Sequence, residues 1–335
     1  MQQPTPQIPA RIPVLITLAI GFMTSCGGGG DSATAPPAPP PPPPPPPVFM
    51  PQTTFSDVTA SSGIDHEFSI VTANTYDPAR MGGGLSAADF DRDGLIDLYI
   101  VGGDGAPNAL YRNAGSNNFS DVADGLGLDA THLGSGPAFG DIDGDGDLDL
   151  FVGSVENHPK YLFRNDGNQF TDVYANSGIV LSAESTISAG FSDYDMDGDL
   201  DLFLAHWGND PQPDTETLWQ NNGDGTFTSA SIPSGIADQL ITQTGLPGLF
   251  DYTFSPMLSD IDRDGDPDIL FAADFTTSKI FLNNGDATFT DITDRNVVKD
   301  RNGMGSAAGD YDNDGDMDWF VTSIFETSQG ADPNI

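Results

Sequence analysis

The sequence predicts an all-β chain, and three observations predict it. Of 50 acidic residues, 45 are Asp and only 5 are Glu, and Glu is the carboxylate that helices tolerate better. Glycine is abundant, at 39 residues, while Lys and Arg together number 11, a composition that argues against a helical bundle. Short apolar runs such as LYIVG, LFVGS, LFLAH, ILFAA and WFVTS recur along the chain with Asn-Gly and Asp-Gly turns between them, the pattern of short strands joined as hairpins. The formal net charge of −39 excludes a nucleic-acid partner held by counterion release from phosphates.

At the N-terminus, Arg11 precedes the twelve mostly apolar residues Ile12 to Met23. That run is too short to span a bilayer, which takes about 20 residues, and suits the apolar part of a signal peptide. Met23-Thr24-Ser25-Cys26 follows, and Cys26 is the single cysteine of the 335 residues. This stretch resembles the lipobox of bacterial lipoproteins, with Met where Leu is usual. The resemblance implies a signal peptide over 1–25, lipidation of Cys26, and membrane contact through that anchor alone. Gly27 after the cysteine implies the outer membrane or cell surface of a bacterial envelope. Residues 36–47 hold eleven prolines in twelve positions, a polyproline II spacer of about 37 Å, so 26–52 reads as a linker and 53–335 as the folded domain. With one cysteine there is no intramolecular disulfide, and something else must stiffen the fold.

Five windows align within that domain: DFDRDGLID at 89–97, DIDGDGDLD at 141–149, DYDMDGDLD at 193–201, DIDRDGDPD at 260–268 and DYDNDGDMD at 310–318. Their starts are 52, 52, 67 and 50 residues apart. A second phrase recurs between them, an LYRN-like strand, a short turn and then Phe-Ser/Thr, and FSDVT at 55–59 reads as the tail of one more copy. Four short strands per roughly 50 residues predict a β-propeller of four-stranded blades; a β-solenoid, with shorter repeats, is the alternative. The chain holds four complete repeats and part of a fifth. The longest spacing contains an insertion near 232–256 with Leu246, Leu249, Phe250, Tyr252 and Phe254, which reads as a loop packed on its own blade or as a ligand loop.

Each window places carboxylates at positions 1, 3, 5 and 9, Gly at 6, and an available backbone carbonyl at 7. Gly permits a sharp turn that lets alternate side chains converge. The candidate ligands are Asp89, Asp91, Asp93 and Asp97 with the carbonyl of Leu95; Asp141, Asp143, Asp145 and Asp149 with Asp147; Asp193, Asp195, Asp197 and Asp201 with Asp199; Asp260, Asp262, Asp264 and Asp268 with Asp266; and Asp310, Asp312, Asp314 and Asp318 with Asp316. Four carboxylates gathered this closely repel one another unless a cation sits between them. All-oxygen ligands in a flexible loop favour Ca²⁺ over Mg²⁺, and no Cys or His near the windows suits a softer metal, so about five Ca²⁺ ions are expected. An EF-hand would need Glu at position 12, where Ile100, Val152, Leu204, Phe271 and Val321 stand.

The windows, with phrases such as GPAFGDIDGDGDLDLFVGS at 136–154, resemble FG-GAP/VCBS repeats, the blades of the integrin α-subunit propeller. The interleaved LYRN…FTDV phrase is similar to bacterial members of the cartilage acidic protein (ASPIC/UnbV) family, whose chains continue into an ASPIC/UnbV domain. The resemblance covers about residues 53–325. It implies ligation by the Asp residues named above, loops that join the first and second strands of each blade, and a seven-bladed propeller. No ASPIC/UnbV segment is present, and the fifth repeat stops before its LYRN and FTDV strands, so the chain reads as part of a longer propeller or, alternatively, as a smaller propeller that closes with a 55–59 strand in its last blade.

No Gly-x-Ser-x-Gly, HExxH or phosphate loop occurs, and His66, His132, His158 and His206 share no fixed phase with the repeats; no enzyme is expected. The reading is a calcium-binding cell-envelope module that holds an unidentified protein or glycan at the cell surface. The alternatives are a lectin, with Trp207 and Trp219 as candidates for stacking on sugar, or the non-catalytic propeller of a larger extracellular enzyme. Trp219 lies in an LYRN-equivalent strand, where core packing is the competing use.

Overall fold

Four antiparallel meanders and a hairpin make up the domain in the computed structural model, which describes residues 56–71, 81–167, 169–209, 216–241, 251–299 and 302–323. Contacts divide the chain into Met1–Thr54 and Phe55–Ile335. The signal-peptide segment, Cys26, the proline spacer and Leu246, Leu249 and Phe250 lie outside the described residues. No helix among the described residues is long and apolar enough to cross a membrane.

The first meander is β1 (Leu85–Ala88), β2 (Asp97–Ile100), β3 (Ala109–Asn113) and β4 (Phe119–Asp121); the second is β5 (Gly134–Gly140), β6 (Asp149–Ser154), β7 (Tyr161–Asn165) and β8 (Phe170–Asp172). The third is β9 (Thr186–Ser192), β10 (Asp201–Asn209), β11 (Leu218–Asn221) and β12 (Phe227–Ser229). The fourth is β13 (Asp251–Ser259), β14 (Asp268–Ala273), β15 (Lys279–Asn283) and β16 (Phe289–Asp291), and the hairpin is β17 (Gly303–Gly309) with β18 (Asp318–Ser323). Within each meander the strands pair in chain order. The first strands neighbour one another in the sequence β1, β5, β9, β13, β17, so the sheets stand side by side along their inner edges. Leu133, Ile187 and Phe254 gather there with Met81 and Met304. The architecture is all-β and propeller-like.

Because neighbouring sheets cover both faces of a middle sheet, its second strand has no solvent side. All six residues of β6 are buried. Alternation sends Leu150 and Val152 toward Tyr99 and Leu110 of the first meander, and Phe151 toward Leu202 and Leu204 of the third. A run that is apolar without alternation, such as LFV, is the sequence trace of that two-sided burial, and each such side chain contributes about 1.5–3 kcal/mol by leaving water. Trp219 is in this core, 4% exposed, and its indole donates to the Glu216 carbonyl.

Three local features depart from or refine the sequence expectations. Residues 56–58 form no strand and lead into α1 (Thr59–Ser62); no described strand pairs with them, and an extended segment without a ladder partner has no hydrogen-bond reason to stay a strand. Gly63 after α1 presses on the Phe119 carbonyl of β4, as Gly178 presses on the Phe227 carbonyl of β12. A Cβ at either position would collide with that backbone, so 56–63 sits on the first meander as the tail of the second sits on the third. The insertion, second, is partly regular: α2 (Ile236–Ile241) puts Ile236 and Leu240 into the core of the third and fourth meanders. Tyr252 and Phe254 belong to β13, whose start pairs with the end of β10 through Trp207↔Tyr252 and Asn209↔Asp251. Third, no described strand pairs with the outer edge of β18. Tyr311 is 80% and Phe320 67% exposed, against 3% or less for Phe90, Tyr194, Tyr99 and Phe151 in corresponding places.

The asparagine that ends each third strand explains the LYRN phrase. Asn221 Nδ2 donates to the Leu200 carbonyl of its own loop at 3.1 Å and to the Ile142 carbonyl of the preceding meander at 2.8 Å. Asn165 reaches Leu148 and Phe90, and Asn283 reaches Pro267 and Tyr194, in the same way. One buried amide thus ties consecutive sheets. Asn221→Ala is expected to cost about 2–4 kcal/mol, since it leaves buried carbonyls without a donor; denaturant unfolding at fixed calcium checks this.

His132 is 1% exposed and neither ring nitrogen has a hydrogen-bond partner. Burial first, and then His158, push its pKa down from 6.5 to about 4. The unfolded chain takes up a proton near 6.5 while the folded chain refuses it until about 4, so stability falls as pH drops through that interval. Wild type should lose roughly 3 kcal/mol relative to His132→Leu between pH 7 and 4, read from denaturant midpoints of the two proteins at both pH values.

Candidate metal centre

The aspartate windows occupy the connections between first and second strands, with position 9 opening the second strand. The turn is made by two left-handed residues. Position 4 has φ between 59° and 72° in Arg92, Gly144, Met196, Arg263 and Asn313, and the position 6 glycines, Gly94, Gly146, Gly198, Gly265 and Gly315, lie between 87° and 105°. Position 1 holds the loop from inside: Asp89 accepts the N–H groups of Asp93 and Gly94, and Asp193 those of Asp197 and Gly198. Position 5 accepts the N–H of position 7, as Asp145 does from Asp147 at 2.8 Å.

Position 9 is different. Asp97, Asp149, Asp201 and Asp268 are completely buried, and each carboxylate joins two backbone segments. Asp201 Oδ2 accepts from Tyr194 N–H at 3.1 Å, and Oδ1 from Asn221 N–H at 2.8 Å; Asp149 does the same with Ile142 and Asn165. Burial pushes Asp149 and Asp201 up to about 7, with neighbouring aspartates adding to the rise and backbone donors opposing it. Asp97 and Asp268 are raised for the same first cause.

Ligand atoms within 4.8 Å of one another come together from Asp89, Asp91 and Asp97; from Asp141, Asp143 and Asp149; from Asp193, Asp195 and Asp197; and from Asp260, Asp262 and Asp268. Oδ1 of Asp91, of Asp195 and of Asp260 is buried with no hydrogen-bond donor. Acceptor oxygens facing other carboxylates without a donor are where a hard cation fits, so the residues present suit an oxygen-coordinated divalent ion. Two position 7 side chains are engaged by other loops or turns: Asp147 accepts from Arg92 of the previous loop and from Gly167 N–H, and Asp316 pairs with Arg263. In the fifth window Asp310 and Asp318 repeat the backbone bonds, to Gly315 and Tyr311.

Sequence reasoning missed Asp166, which approaches Asp143 and Asp145 from the turn after β7; its signal was the Asp of the Asn-Asp-Gly turn, where the other repeats have Ala114, Asn222 and Asn284. It also missed Arg112, Arg164 and Gln220, each one residue before a third-strand Asn, which contact Asp91, Asp143 and Asp195 at position 3. Of the four histidines, His132 and His158 come close enough to interact electrostatically. His66 bonds the Val101 carbonyl, His158 accepts from Leu133 N–H, and His206 lies between Thr186 and the Glu216 carbonyl. Trp207 is half-buried, edge-on to Tyr252, and donates to Asp274.

The sequence profile of the FG-GAP-like repeat matches residues 89–152, 143–204 and 260–321, more than half of the chain. The chain belongs to the FG-GAP-like repeat family. Each match starts in an aspartate loop and ends in a second strand, so the FG-GAP-like unit is out of phase with the meander by one strand. Among curated relatives, cartilage acidic protein 1 of Mus musculus is 31% identical over 170 residues, 48% of this chain and 24% of the relative, and that of Homo sapiens 30% over 170 residues. The FG-GAP-like chain therefore spans about a quarter of the length of the curated relatives it matches. Among solved structures, an Agrocybe aegerita lectin that recognises non-reducing terminal N-acetylglucosamine aligns at 19% identity and a TM-score of 0.43, over 72% of this chain and 60% of the lectin.

Proposed function

We propose that the chain is a calcium-binding, non-catalytic binding module of the bacterial cell envelope, with FG-GAP-like loops that each take one Ca²⁺ ion at the start of a propeller blade. The observation that carries this reading is the recurrence of buried, donor-less carboxylate oxygens in three of the loops, at position 3 in Asp91 and Asp195 and at position 1 in Asp260. Calcium would be held by positions 1, 3, 5 and 9 and the carbonyl at 7. Its contribution is charge neutralisation, which lowers the repulsion among aspartates and fixes the first hairpin of each blade. The chain's own residues do the rest: Gly at 6 makes the turn, and position 9 and the third-strand Asn couple the loop to two sheets. Five ions would bring the formal charge from −39 to about −29, and loops of extracellular modules hold calcium at about 10⁻⁴ to 10⁻³ M. The four meanders and hairpin belong in this reading to a seven-bladed propeller.

Cys26 anchors the domain through lipid, and the proline spacer carries it away from the surface, where loops on one propeller face hold a protein or glycan. Metal counting on the purified chain tests the first half of the proposal: about five Ca²⁺ per chain supports it, and none refutes it. Fatty-acid labelling lost in Cys26→Ser tests the anchor. Binding to a glycan array, against capture of a surface protein, separates the lectin reading from the adhesin, and turnover of a glycan panel by the chain would overturn the non-catalytic assignment.

A further inference from the structure

The aspartate loops share a motif but not an electrostatic environment. The difference sits outside the windows, in the residue that precedes the third-strand asparagine: Arg112 in β3, Arg164 in β7, Gln220 in β11 and Leu282 in β15. In the first three meanders that residue contacts position 3 of its own loop. Arg112 forms a close ion pair with Asp91, whose side chain is 3% exposed. Arg164 Nε lies 3.9 Å from Asp143 Oδ2, and the same guanidinium is hydrogen-bonded to Asp166 at 2.8 Å. Gln220 Nε2 donates to Asp195 Oδ2, which satisfies one oxygen and brings no charge. Leu282 brings neither donor nor charge.

We propose that this residue sets how strongly each loop holds its cation, Arg112 and Arg164 acting as built-in competitors for the position 3 carboxylate, so that the loops fill in two classes instead of together. The inference rests on the calcium reading above. A guanidinium already neutralises the carboxylate that a cation would use, and once the cation enters, the two positive groups repel. A unit charge about 5–6 Å from a divalent ion in a water-like surroundings weakens binding about tenfold. Arg stays charged at every ordinary pH, so the two classes persist where proton competition would make them merge. The remaining loop arginines do a separate job: Arg92 and Arg263, at position 4, reach the position 7 side chains Asp147 and Asp316 of the following loops and tie consecutive loops without touching position 3. Among the four loops whose third strand is described, the tighter class expected is therefore 193–201 and 260–268 and the weaker is 141–149 and 89–97, with 89–97 the weaker of that pair because Arg164 is shared with Asp166.

The test is a calorimetric calcium titration of the metal-free full chain, repeated on Arg112→Gln, Arg112→Lys and Gln220→Arg. Wild type should show a tighter and a weaker class of sites. Arg112→Gln should move one equivalent from the weaker class to the tighter, about tenfold in affinity; Arg112→Lys, which keeps the charge, should leave it in the weaker class; Gln220→Arg should move one equivalent the other way. Gln at 112 keeps a donor for Asp91, as Gln220 does for Asp195, so a cooperative unfolding transition in chelator certifies the fold of that variant, which decides the matter by itself if Gln220→Arg does not fold. Calcium uptake with the same classes in wild type and Arg112→Gln would overturn this inference and leave the calcium reading standing. No uptake by wild type would overturn both.

Discussion

In millimolar calcium the full chain is expected to unfold on the order of 15 °C above its melting point in chelator. A ligand that binds only the folded state stabilises it by RT ln(1 + [L]/Kd), about 1–2 kcal/mol per loop at 5 mM calcium for sites of 10⁻⁴ to 10⁻³ M. Five loops would then supply on the order of 5–10 kcal/mol, comparable with the whole stability of an ordinary domain. The physical source is on the loops themselves, where Asp149 and Asp201 are pushed up to about 7 by burial with neighbouring aspartates adding to it. A cation beside them would favour the ionised form and expel the remaining protons, so calcium uptake near pH 6–7 should acidify an unbuffered solution. Scanning calorimetry in the two buffers checks the main effect. Equal melting points in calcium and chelator, from a folded sample, would sink the calcium assignment.

The second large effect separates the two jobs that aspartates do in one loop. Asp201→Ala should lose about 2–5 kcal/mol even in chelator, because Tyr194 and Asn221 are each left with a buried N–H and no acceptor, and about 1–2 kcal/mol more in calcium, where the loop also loses a ligand. The double substitution Asp143→Ala with Asp145→Ala should lose stability in calcium and little in chelator, since Asp145 is exposed, Asp143 half-buried, and their oxygens bond the loop's own N–H groups. Denaturant unfolding of both variants in both buffers gives a two-by-two comparison. An Asp201→Ala cost that vanishes in chelator would mean that position 9 acts only through the ion.

Much of this organisation is written in the chain because it repeats. The windows fall between first and second strands, as the resemblance implied, since Gly at position 6 and an apolar run after position 9 leave the loop one way to turn and the strand one way to pair. The blades' second strands were legible as unalternating apolar runs because two neighbours bury them. What could not be read from one repeat is what one repeat does to the next. The Asn of LYRN looks like an ordinary turn residue until its amide is seen on Ile142 or Tyr194 of another sheet, 79 and 89 residues away. The strand expected at 55–59 illustrates the same limit: its composition matches the other FxDV strands, but a strand needs a partner, and none of the described residues supplies one.

The sequence by itself determined the local chemistry: which residues turn, which are apolar on both faces, and which carboxylates stand two apart so that they can face one point. These are properties of spacing and side-chain type, and they act within a few residues. Tertiary structure alone decided which of those carboxylates is a buried backbone clamp, as Asp201 is, and which lies open; it also placed Arg112 against Asp91 and brought the end of β10 onto the start of β13. Burial and charge pairing depend on what lies across space, and the same Asp-x-Asp spacing acquires a different energy in each loop because a different neighbouring strand stands over it.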